Sequence, residues 1–192
     1  MSTLISVEQT KAIISPELVR EIRRQYRLPW PGIHGVTHWA RVFENGLRLT
    51  SQTGASVHVV SLFAVFHDSR RQNEGYDPQH GRRGSELATS LRGKAFELSD
   101  SDFNLLKIAC DLHTDGLTTA DVTVQTCWDA DRLDLGRVGI VPGLQYLCTE
   151  AAKDRGTIEW AYERSIRFHV PEIVTTEWNA AWPADAGIEP TL

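Results

Sequence analysis

The chain has 192 residues, of which 41% are hydrophobic and 23% charged, a length and composition that suit one domain with its own hydrophobic core. The net charge of -5 excludes a protein that binds extended nucleic acid mainly through charge, but is compatible with a small basic pocket for one phosphate ester. The N-terminus lacks the basic flank and apolar run of a signal peptide, and no stretch is long and apolar enough to span a bilayer. We therefore expect a cytoplasmic protein without a membrane partner, and a homodimer is left open.

The sequence pattern predicts a series of α-helices. Ser15 and Pro16 are typical of an N-cap and a first helical residue, so we predict a helix over residues 16–28. A second helix is predicted over residues 35–53, with Gly54 at its C-terminal end. Further helices are predicted over residues 80–91, 99–113, 121–135, 142–153 and 158–169.

The apolar segment that follows Ser56 is open to two interpretations. Its length and β-branched residues suit a strand, but Val59, Phe63 and Phe66 keep a helical period, which favours a buried helix. Residues 69–79 are polar and contain glycine and proline, so we predict a loop there. Because no run alternates convincingly with a period of two, the predicted fold class is an all-α helical bundle.

The C-terminal tail and the cysteines are expected to add to the core. The tail is predicted to be irregular and to fold back on the body through Trp178 and Trp182. The three cysteines, Cys110, Cys127 and Cys148, are widely spaced and stand in apolar contexts. We interpret them as buried thiols in helices rather than as metal ligands.

His67 and Asp68 stand together at the end of the most apolar predicted helix. A buried aspartate is costly unless it is paired or bound to a metal. Taken alone, the doublet also fits a helix C-terminus, where a histidine meets the negative end of the helix dipole.

Upstream of this doublet, His34 and His38 are four residues apart. If the helix already includes position 34, both imidazoles lie on one face of it. We interpret His34 as a structural residue or part of the pocket rim.

Downstream of the doublet, three aspartates crowd one predicted helix, at Asp129, Asp131 and Asp134. Three acids beside an apolar stripe are costly without a cation. The alternative is a solvated acidic face that is paired with Arg132 and Arg137.

The ordered set His38, His67–Asp68 and Asp131 resembles the HD-domain superfamily of metal-dependent phosphohydrolases, over roughly residues 34–140. The local sequence contexts are similar too: the first histidine is near the start of a helix, His-Asp is at the end of an apolar helix, and the last aspartate is in Ala-Asp-Arg-Leu. The resemblance implies that these four residues bind the metal and that the fold is a helical bundle. It implies a single domain over 1–192, in which helix 16–28 and residues 142–192 pack on that core.

Two imidazoles and two carboxylates form a ligand set of intermediate hardness. Such a set suits Mn, Fe, Co, Ni, Zn or Mg better than a soft metal such as Cu(I). A metal in that site lowers the pKa of bound water and neutralises charge on a phosphoryl oxygen. We expect one or two divalent ions.

Two further histidines, His80 and His113, lie between the doublet and the last aspartate. Many HD-type proteins carry extra histidines there, for a second metal or for phosphate. Either residue can therefore be a second-metal ligand, a phosphate contact or a general acid. The alternatives are a surface residue for His80 and a helix cap for His113. His58 and His169 are expected to be structural or exposed.

Arginines near the doublet supply cations for a phosphate group. Arg70 and Arg71 follow closely after Asp68, with Ser69 between, and are predicted to contact the substrate phosphate. Arg82 and Arg83 follow His80, and solvated loop charge is the alternative for all of these arginines. Arg132 is expected to pair with an acid and so hold the ligand helix.

The chain departs from several nucleotidase and pyrophosphatase branches of the family, which carry a glutamate close behind the doublet. Here Glu74 comes only six positions after Asp68, so the proton acceptor is left open between Glu74 and Asp129. The departure weakens any transfer of one branch's substrate to this chain.

The sequence therefore carries three functional hypotheses. The first is hydrolysis of a phosphate ester or anhydride in a small phosphorylated substrate, with a nucleotide implied by resemblance. The second is a di-iron oxygenase of the same fold, which needs extra histidine ligands. The third is a nucleotide sensor without turnover, whose sign would be a lost ligand, and the ligand set is complete.

Overall fold

The computed structural model describes residues 13–178, and they are mostly helical, with no strand among them. The α-helices are α1 (Pro16–Gln25), α2 (Val36–Thr53), α3 (Val57–Phe66), α4 (His80–Leu91), α5 (Asp100–Leu112), α6 (Val122–Arg132), α7 (Glu150–Lys153), α8 (Arg155–Ile166) and α9 (Glu172–Thr176). Two 3-10 turns lie between α6 and α7, at Leu135–Val138 and Leu144–Tyr146. The prediction of an all-α fold is confirmed for this part of the chain.

Side-chain caps explain where several helices begin. The hydroxyls of Ser15, Ser56 and Ser99 accept hydrogen bonds from backbone N–H groups in the first turns of α1, α3 and α5. The carboxylate of Asp121 does the same for α6. Gly54 ends α2 at a φ of 73°, a left-handed conformation that glycine adopts without a steric penalty.

Helix α3 lies at the centre of the bundle and is surrounded by α2, α4, α5 and α6. All its residues from Val59 to Phe66 are buried. The prediction of a buried helix, rather than a strand, is therefore confirmed. Because α3 has packing partners on all sides, its last residues lie in the interior of the bundle and not at the solvent-exposed surface.

The predicted helix over 142–153 is wrong. The chain there forms a 3-10 turn and an extended stretch before the four-residue helix α7. The carboxylate of Asp129 accepts the backbone N–H groups of Cys148 and Thr149, so these groups are not available to a helix. Cys148 consequently lies outside any helix and is only half-buried, whereas Cys110 and Cys127 are buried helical thiols as predicted.

Other helix boundaries shift by a few residues. Helix α1 ends at Gln25 and not at 28, and α6 ends at Arg132, after which the chain tightens into a 3-10 turn. Helix α8 begins earlier than predicted because the carboxylate of Asp154 caps it by accepting the N–H of Thr157.

The C-terminal part of the described chain packs back on the bundle. Helix α8 lies against the 3-10 turn at 135–138, where a side chain at Gly136 would overlap Ser165. Helix α9 contacts α2, and the buried Trp178 lies 6.2 Å from the ring of Phe43. The predicted return of Trp178 to the body is confirmed, while Trp182 lies outside the described residues. Within 13–178, no helix is long and apolar enough to cross a membrane.

Candidate metal centre

Helix ends deliver six ionisable side chains to one place in the interior. His38 lies in the first turn of α2, the doublet His67–Asp68 ends α3, and Asp131 lies in the last turn of α6. His80 begins α4 and His113 ends α5. The four histidines and Asp68 are buried, so their charges and lone pairs act in a medium of low polarity.

We call the first group site A; it consists of His38, His67, Asp68 and Asp131. The two Nε2 atoms of His38 and His67 lie 3.1 Å apart. Asp131 Oδ1 lies 3.5 Å from the first and 3.8 Å from the second. Asp68 Oδ2 lies 3.6 and 3.8 Å from the same two nitrogens. Metal–ligand bonds of about 2.0–2.2 Å place neighbouring ligand atoms about 2.8–3.6 Å apart, so the contacts of His38 fall in this range and the two contacts of His67 with the carboxylates, at 3.8 Å, lie slightly above it.

Hydrogen bonds fix which ring nitrogen of each histidine in site A carries the proton. Nδ1 of His38 lies 2.7 Å from Asp134 Oδ2, and Nδ1 of His67 lies 3.1 Å from the carbonyl of Phe63. Both acceptors require an Nδ1–H, so both Nε2 atoms carry lone pairs. Two lone pairs that face each other across 3.1 Å repel unless a cation lies between them. Oδ1 of Asp131 is also buried and makes no hydrogen bond, although Arg137 Nη2 lies 3.6 Å away, so this oxygen keeps lone pairs that can bind a cation.

The second group is site B, which consists of Asp68, His80 and His113. The Nε2 atoms of the two histidines lie 2.8 Å apart, and Asp68 Oδ1 lies 3.0 Å from the first and 3.8 Å from the second. Backbone carbonyls again take the Nδ1–H groups, from Asp77 for His80 and from Cys110 for His113. Three buried donor atoms therefore form a second group that can hold a metal ion.

Asp68 belongs to both sites, with one oxygen on each side. Oδ2 faces the imidazoles of site A and Oδ1 faces those of site B. His34 also donates to Oδ2, over 2.8 Å, so it orients the carboxylate from outside either site. A carboxylate in this position can bridge two ions.

The protonation of the two sites differs. Burial lowers the pKa of His38 well below its usual value and lowers the pKa of His67 to about 4, so both imidazoles are neutral at pH 7. At His113, burial acts in the same direction and is the largest single effect, but the hydrogen bond to Asp68 and the negative charges of Asp131 and Asp68 together outweigh it and raise the pKa. A proton on His113 would relieve the contact between the imidazoles of site B, whereas the lowered pKa values of His38 and His67 disfavour such a proton in site A.

Both carboxyls of site A are held ionised. Burial acts to raise the pKa of Asp68, but the histidines around it outweigh that effect and hold this pKa well below its usual range. Burial opposes ionisation of Asp131 as well, yet His67, Arg137 and His38 together lower its pKa to about 2. Ionised carboxylates beside neutral imidazoles are the protonation states in which these groups bind metals.

The two arginines after the doublet have different positions. Nη1 of Arg71 lies 3.5 Å from Asp68 Oδ1 and 3.2 Å from His80 Nε2, so its guanidinium lies at site B. Arg70 turns away and donates to Gln25 Oε1 over 2.7 Å. The structure brings Arg71 to the site and does not bring Arg70 there.

The remaining arginines have structural contacts. Arg83 donates to both carboxylate oxygens of Asp77 and so fixes the loop before α4, while the exposed Arg82 pairs with Glu86. The prediction that Arg132 pairs with an acid is wrong. Its guanidinium donates to the carbonyls of Tyr146 and Leu117 and to Cys148, because the acids on α6 face other partners.

The two candidates for a proton acceptor differ in their surroundings. Asp129 is fully buried, and the N–H groups of Cys148 and Thr149 occupy its carboxylate, so it fixes the chain and does not face the site. Glu74 is 38% exposed, and its carboxylate lies 3.7 Å from His34 Nε2, at the rim of site A. Glu74 is therefore the better placed of the two acids.

Sequence reasoning missed the layer behind the ligands. His34 lies in a turn before α2 and not within the helix, yet it meets Asp68 because the chain bends back at Gly35, which packs on the backbone of Trp30. Asp134 was noted only as one of three crowded acids. The spacing of Asp134 from Asp131 was the one sequence signal that could have indicated its role. The direction of the Asp134 side chain, however, depends on the 3-10 turn that follows. His58 and His169 have exposed side chains, as predicted.

Comparison of the chain with family models, with curated protein sequences and with solved structures found no match. Its function is therefore argued from the chemistry of sites A and B.

Proposed function

We propose that this chain is a metal-dependent phosphohydrolase of the HD type. Its substrate is a phosphate ester or anhydride of a small metabolite, with nucleotides as the first class to test, and its setting is the cytoplasm. The observation that carries the proposal is the pair of unprotonated Nε2 atoms of His38 and His67, 3.1 Å apart, beside the buried Oδ1 of Asp131, which makes no hydrogen bond. A divalent cation satisfies all three atoms at once.

The ligand chemistry supports a transition metal. His38, His67, Asp68 and Asp131 would hold one ion, and Asp68, His80 and His113 would hold a second. Four imidazoles favour Mn, Fe, Co, Ni or Zn over Mg, which prefers oxygen ligands. Bound metal would supply a Lewis acid and an activated water molecule.

The chain's own residues account for the rest of the reaction. Arg71 is the candidate to bind a phosphoryl oxygen, because its guanidinium lies at site B and offers planar donors. His113 is the candidate to hold a proton for the leaving group when site B has no metal, since its pKa is raised. Glu74, at the rim, can accept a proton from water.

The test combines metal analysis with a screen for phosphate release. Protein purified without chelators is analysed for Mn, Fe, Co, Ni, Zn and Mg, and then assayed against nucleotides and sugar phosphates with each metal added back. We expect at least one bound ion per chain and metal-dependent release of phosphate. Asp68→Ala removes the ligand that both sites share, so it should lose metal and activity together. An Asp68→Ala protein with full metal content and full activity would refute the proposal.

The shared position of Asp68 favours a second candidate, a di-iron oxygenase. Two iron ions bridged by one carboxylate suit oxygen chemistry as well as hydrolysis. Iron content and oxygen consumption discriminate the two candidates, because a phosphohydrolase turns over in the absence of oxygen. Binding of a nucleotide without turnover, with every metal tested, would instead indicate a sensor.

A further inference from the structure

A buried chain of hydrogen bonds lies behind His38, on the side away from site A. Asp134 Oδ2 lies 2.7 Å from His38 Nδ1. Arg41 donates to the same carboxylate through two nitrogens, Nε to Oδ1 over 2.7 Å and Nη2 to Oδ2 over 3.0 Å. All three side chains are at most 1% exposed. A paired contact of this kind fixes the plane of the carboxylate as well as its position.

Arg41 is fixed in turn by the C-terminal end of α8. Its Nη1 donates to the carbonyl of His169 over 3.0 Å. That carbonyl is held in place because the N–H of His169 bonds to Arg164 O and the N–H of Phe168 bonds to Ser165 O, a closed helix end. Phe168 has a φ of 48°, in the left-handed region where glycine is usual, so the turn is kept at some steric cost.

This arrangement decides which nitrogen of His38 is free. An imidazole that binds a metal through Nε2 must carry its proton on Nδ1. The ionised carboxylate of Asp134 has no proton to donate and can only accept a hydrogen bond, so it imposes the Nδ1–H form on His38. Arg41 occupies both oxygens of Asp134 and prevents the carboxylate from rotating away. Carboxylates behind metal-binding histidines have this effect on tautomer and orientation.

We propose that Asp134 and Arg41 are positioning residues of the metal centre, which keep His38 in its Nδ1–H form, and that the end of α8 completes the site by holding Arg41. The inference rests on the proposed metal-dependent function. It makes a segment more than 100 residues from His38 in the sequence, around His169, part of the site.

The decisive variant is Asp134→Asn. Each carboxylate oxygen accepts from Arg41, so the NH2 group of an amide opposes an Arg41 donor in either orientation and the paired contact is lost. The amide is then no longer held in place, and whenever its NH2 group takes the Oδ2 position it forces the proton of His38 onto Nε2, which blocks the metal. We expect Mn2+ or Zn2+ to bind about 10–100-fold more weakly. Nitrogen-15 NMR of the ring nitrogens in the metal-free protein should show an Nε2–H form of His38 that the unmodified protein lacks.

Asp129→Asn is the matched control. Asp129 is as fully buried as Asp134 and accepts three hydrogen bonds, from Cys148 N, Thr149 N and the Thr149 hydroxyl, but none of them leads to His38. We expect this variant to unfold at a lower temperature and to keep both the metal affinity and the tautomer of His38. Arg41→Lys, which keeps the charge but not the paired contact, should give an intermediate loss of affinity.

The two readouts separate this inference from the proposed function. If the unmodified protein binds no metal, the proposed function fails, and the tautomer of His38 still decides whether Asp134 positions it. If Asp134→Asn binds metal within about threefold of the unmodified protein and His38 keeps its Nδ1–H form, the inference is overturned. Equal losses of affinity in Asp134→Asn and Asp129→Asn would overturn it as well, because they would show that a loss of fold stability is enough to weaken metal binding.

Discussion

The guanidinium of Arg71 lies at site B, beside Asp68 and His80, and is our proposed contact for the substrate phosphate. It is buried, and it approaches Asp68 Oδ1 within 3.5 Å while Nη2 donates to the carbonyl of Gly75 over 2.7 Å. A cation held in this way needs no reorganisation when an anion arrives. Arg70, one residue earlier, has the same charge but donates to Gln25 at the surface of α1. A comparison of Arg71 with Arg70 therefore separates the effect of the guanidinium's position from the effect of its charge alone.

We expect Arg71→Met to lower kcat/KM for phosphate release by about 100–1,000-fold, the effect of removing one preorganised donor from the transition state. Steady-state kinetics on the best substrate of the screen, at saturating metal, measure this loss. Arg70→Met is the control and should change kcat/KM by less than about threefold. Equal losses in the two variants, or metal content reduced in Arg71→Met, would contradict the assignment of Arg71 to substrate.

At this same scale, the sequence predicted the four residues that meet in site A but not the residues behind them. The cost of burying an ionisable residue drew attention to His67, Asp68 and Asp131, and the resemblance to the HD-domain superfamily joined them with His38 as one set. Asp134 could not be distinguished from Asp129 and Asp131, because all three are the same residue type in one short segment. The difference is made by tertiary contacts with α2 and with the start of α7, and local spacing does not encode them.

Close contact between helices sets the position of the doublet. Gly84 in α4 packs on the end of α3, where an added Cβ would overlap the carbonyl oxygen of Phe66 and lie 3.2 Å from that of His67. Backbone atoms on both sides leave no flexible side chain to move. The approach of α4 therefore depends on this glycine, and with it the placement of His80 and of site B.

Gly84→Ala should destabilise the protein by about 1–3 kcal/mol and weaken the binding of a second metal ion, because α4 must move away from α3. Denaturant unfolding measures the first effect and metal titration the second. The contrasting change is Gly156→Ala, in the exposed first turn of α8, where the nearest atom to an added Cβ is a side-chain oxygen of Asp154 at 3.3 Å. There the gain in helix preference is opposed by crowding of the oxygen that caps α8, so alanine should change the stability by less than about 1 kcal/mol. Stabilisation by Gly84→Ala would show that α3 and α4 are not in close contact.

Element prediction succeeded where a local signal was strong and failed where distant groups decided. Helices α4 and α5 were predicted almost to the residue, because both have an apolar stripe along their length and α5 also begins at a capping residue, Ser99. The segment 142–153 has helix-forming residues, yet the buried carboxylate of Asp129 takes two of its N–H groups and keeps it extended. A tertiary hydrogen bond to a buried charge is stronger than the local helix preference.

For the whole molecule, the core and the site have opposite energetic roles. Buried apolar residues from Ile14 to Trp178 form one cluster that stabilises the fold. The same interior holds His38, His67 and Asp68, whose desolvation costs free energy and whose lone pairs repel one another. The metal-free protein is therefore destabilised at its centre, and a cation that binds only the folded state should recover that cost.

We expect metal to raise the unfolding temperature markedly. At a free metal concentration 100 times its dissociation constant, binding contributes about 2.7 kcal/mol, which is about 5–10 °C for a chain of this size. Calorimetry or circular dichroism on chelated and on metal-loaded protein at pH 7.5 measures the shift. His67→Gln is the control variant: it removes one ligand of site A, and the unfolding temperature should then respond much less to added metal. An equal shift in both proteins would mean that metal stabilises the fold from somewhere other than site A.

The chelated protein should also lose stability as the pH falls from 7.5 to 5. The pKa of His38 is lowered well below 6.5 and that of His67 to about 4 in the folded state, so the unfolded chain takes up more protons in this range. Their contribution to stability is complete above about pH 6.5 and is lost as the pH falls toward the folded values. His113, whose pKa is raised, acts in the opposite direction but is one group against two. His67→Gln should flatten the dependence of the free energy of unfolding on pH, and an unchanged slope would show that this imidazole is not held neutral by burial.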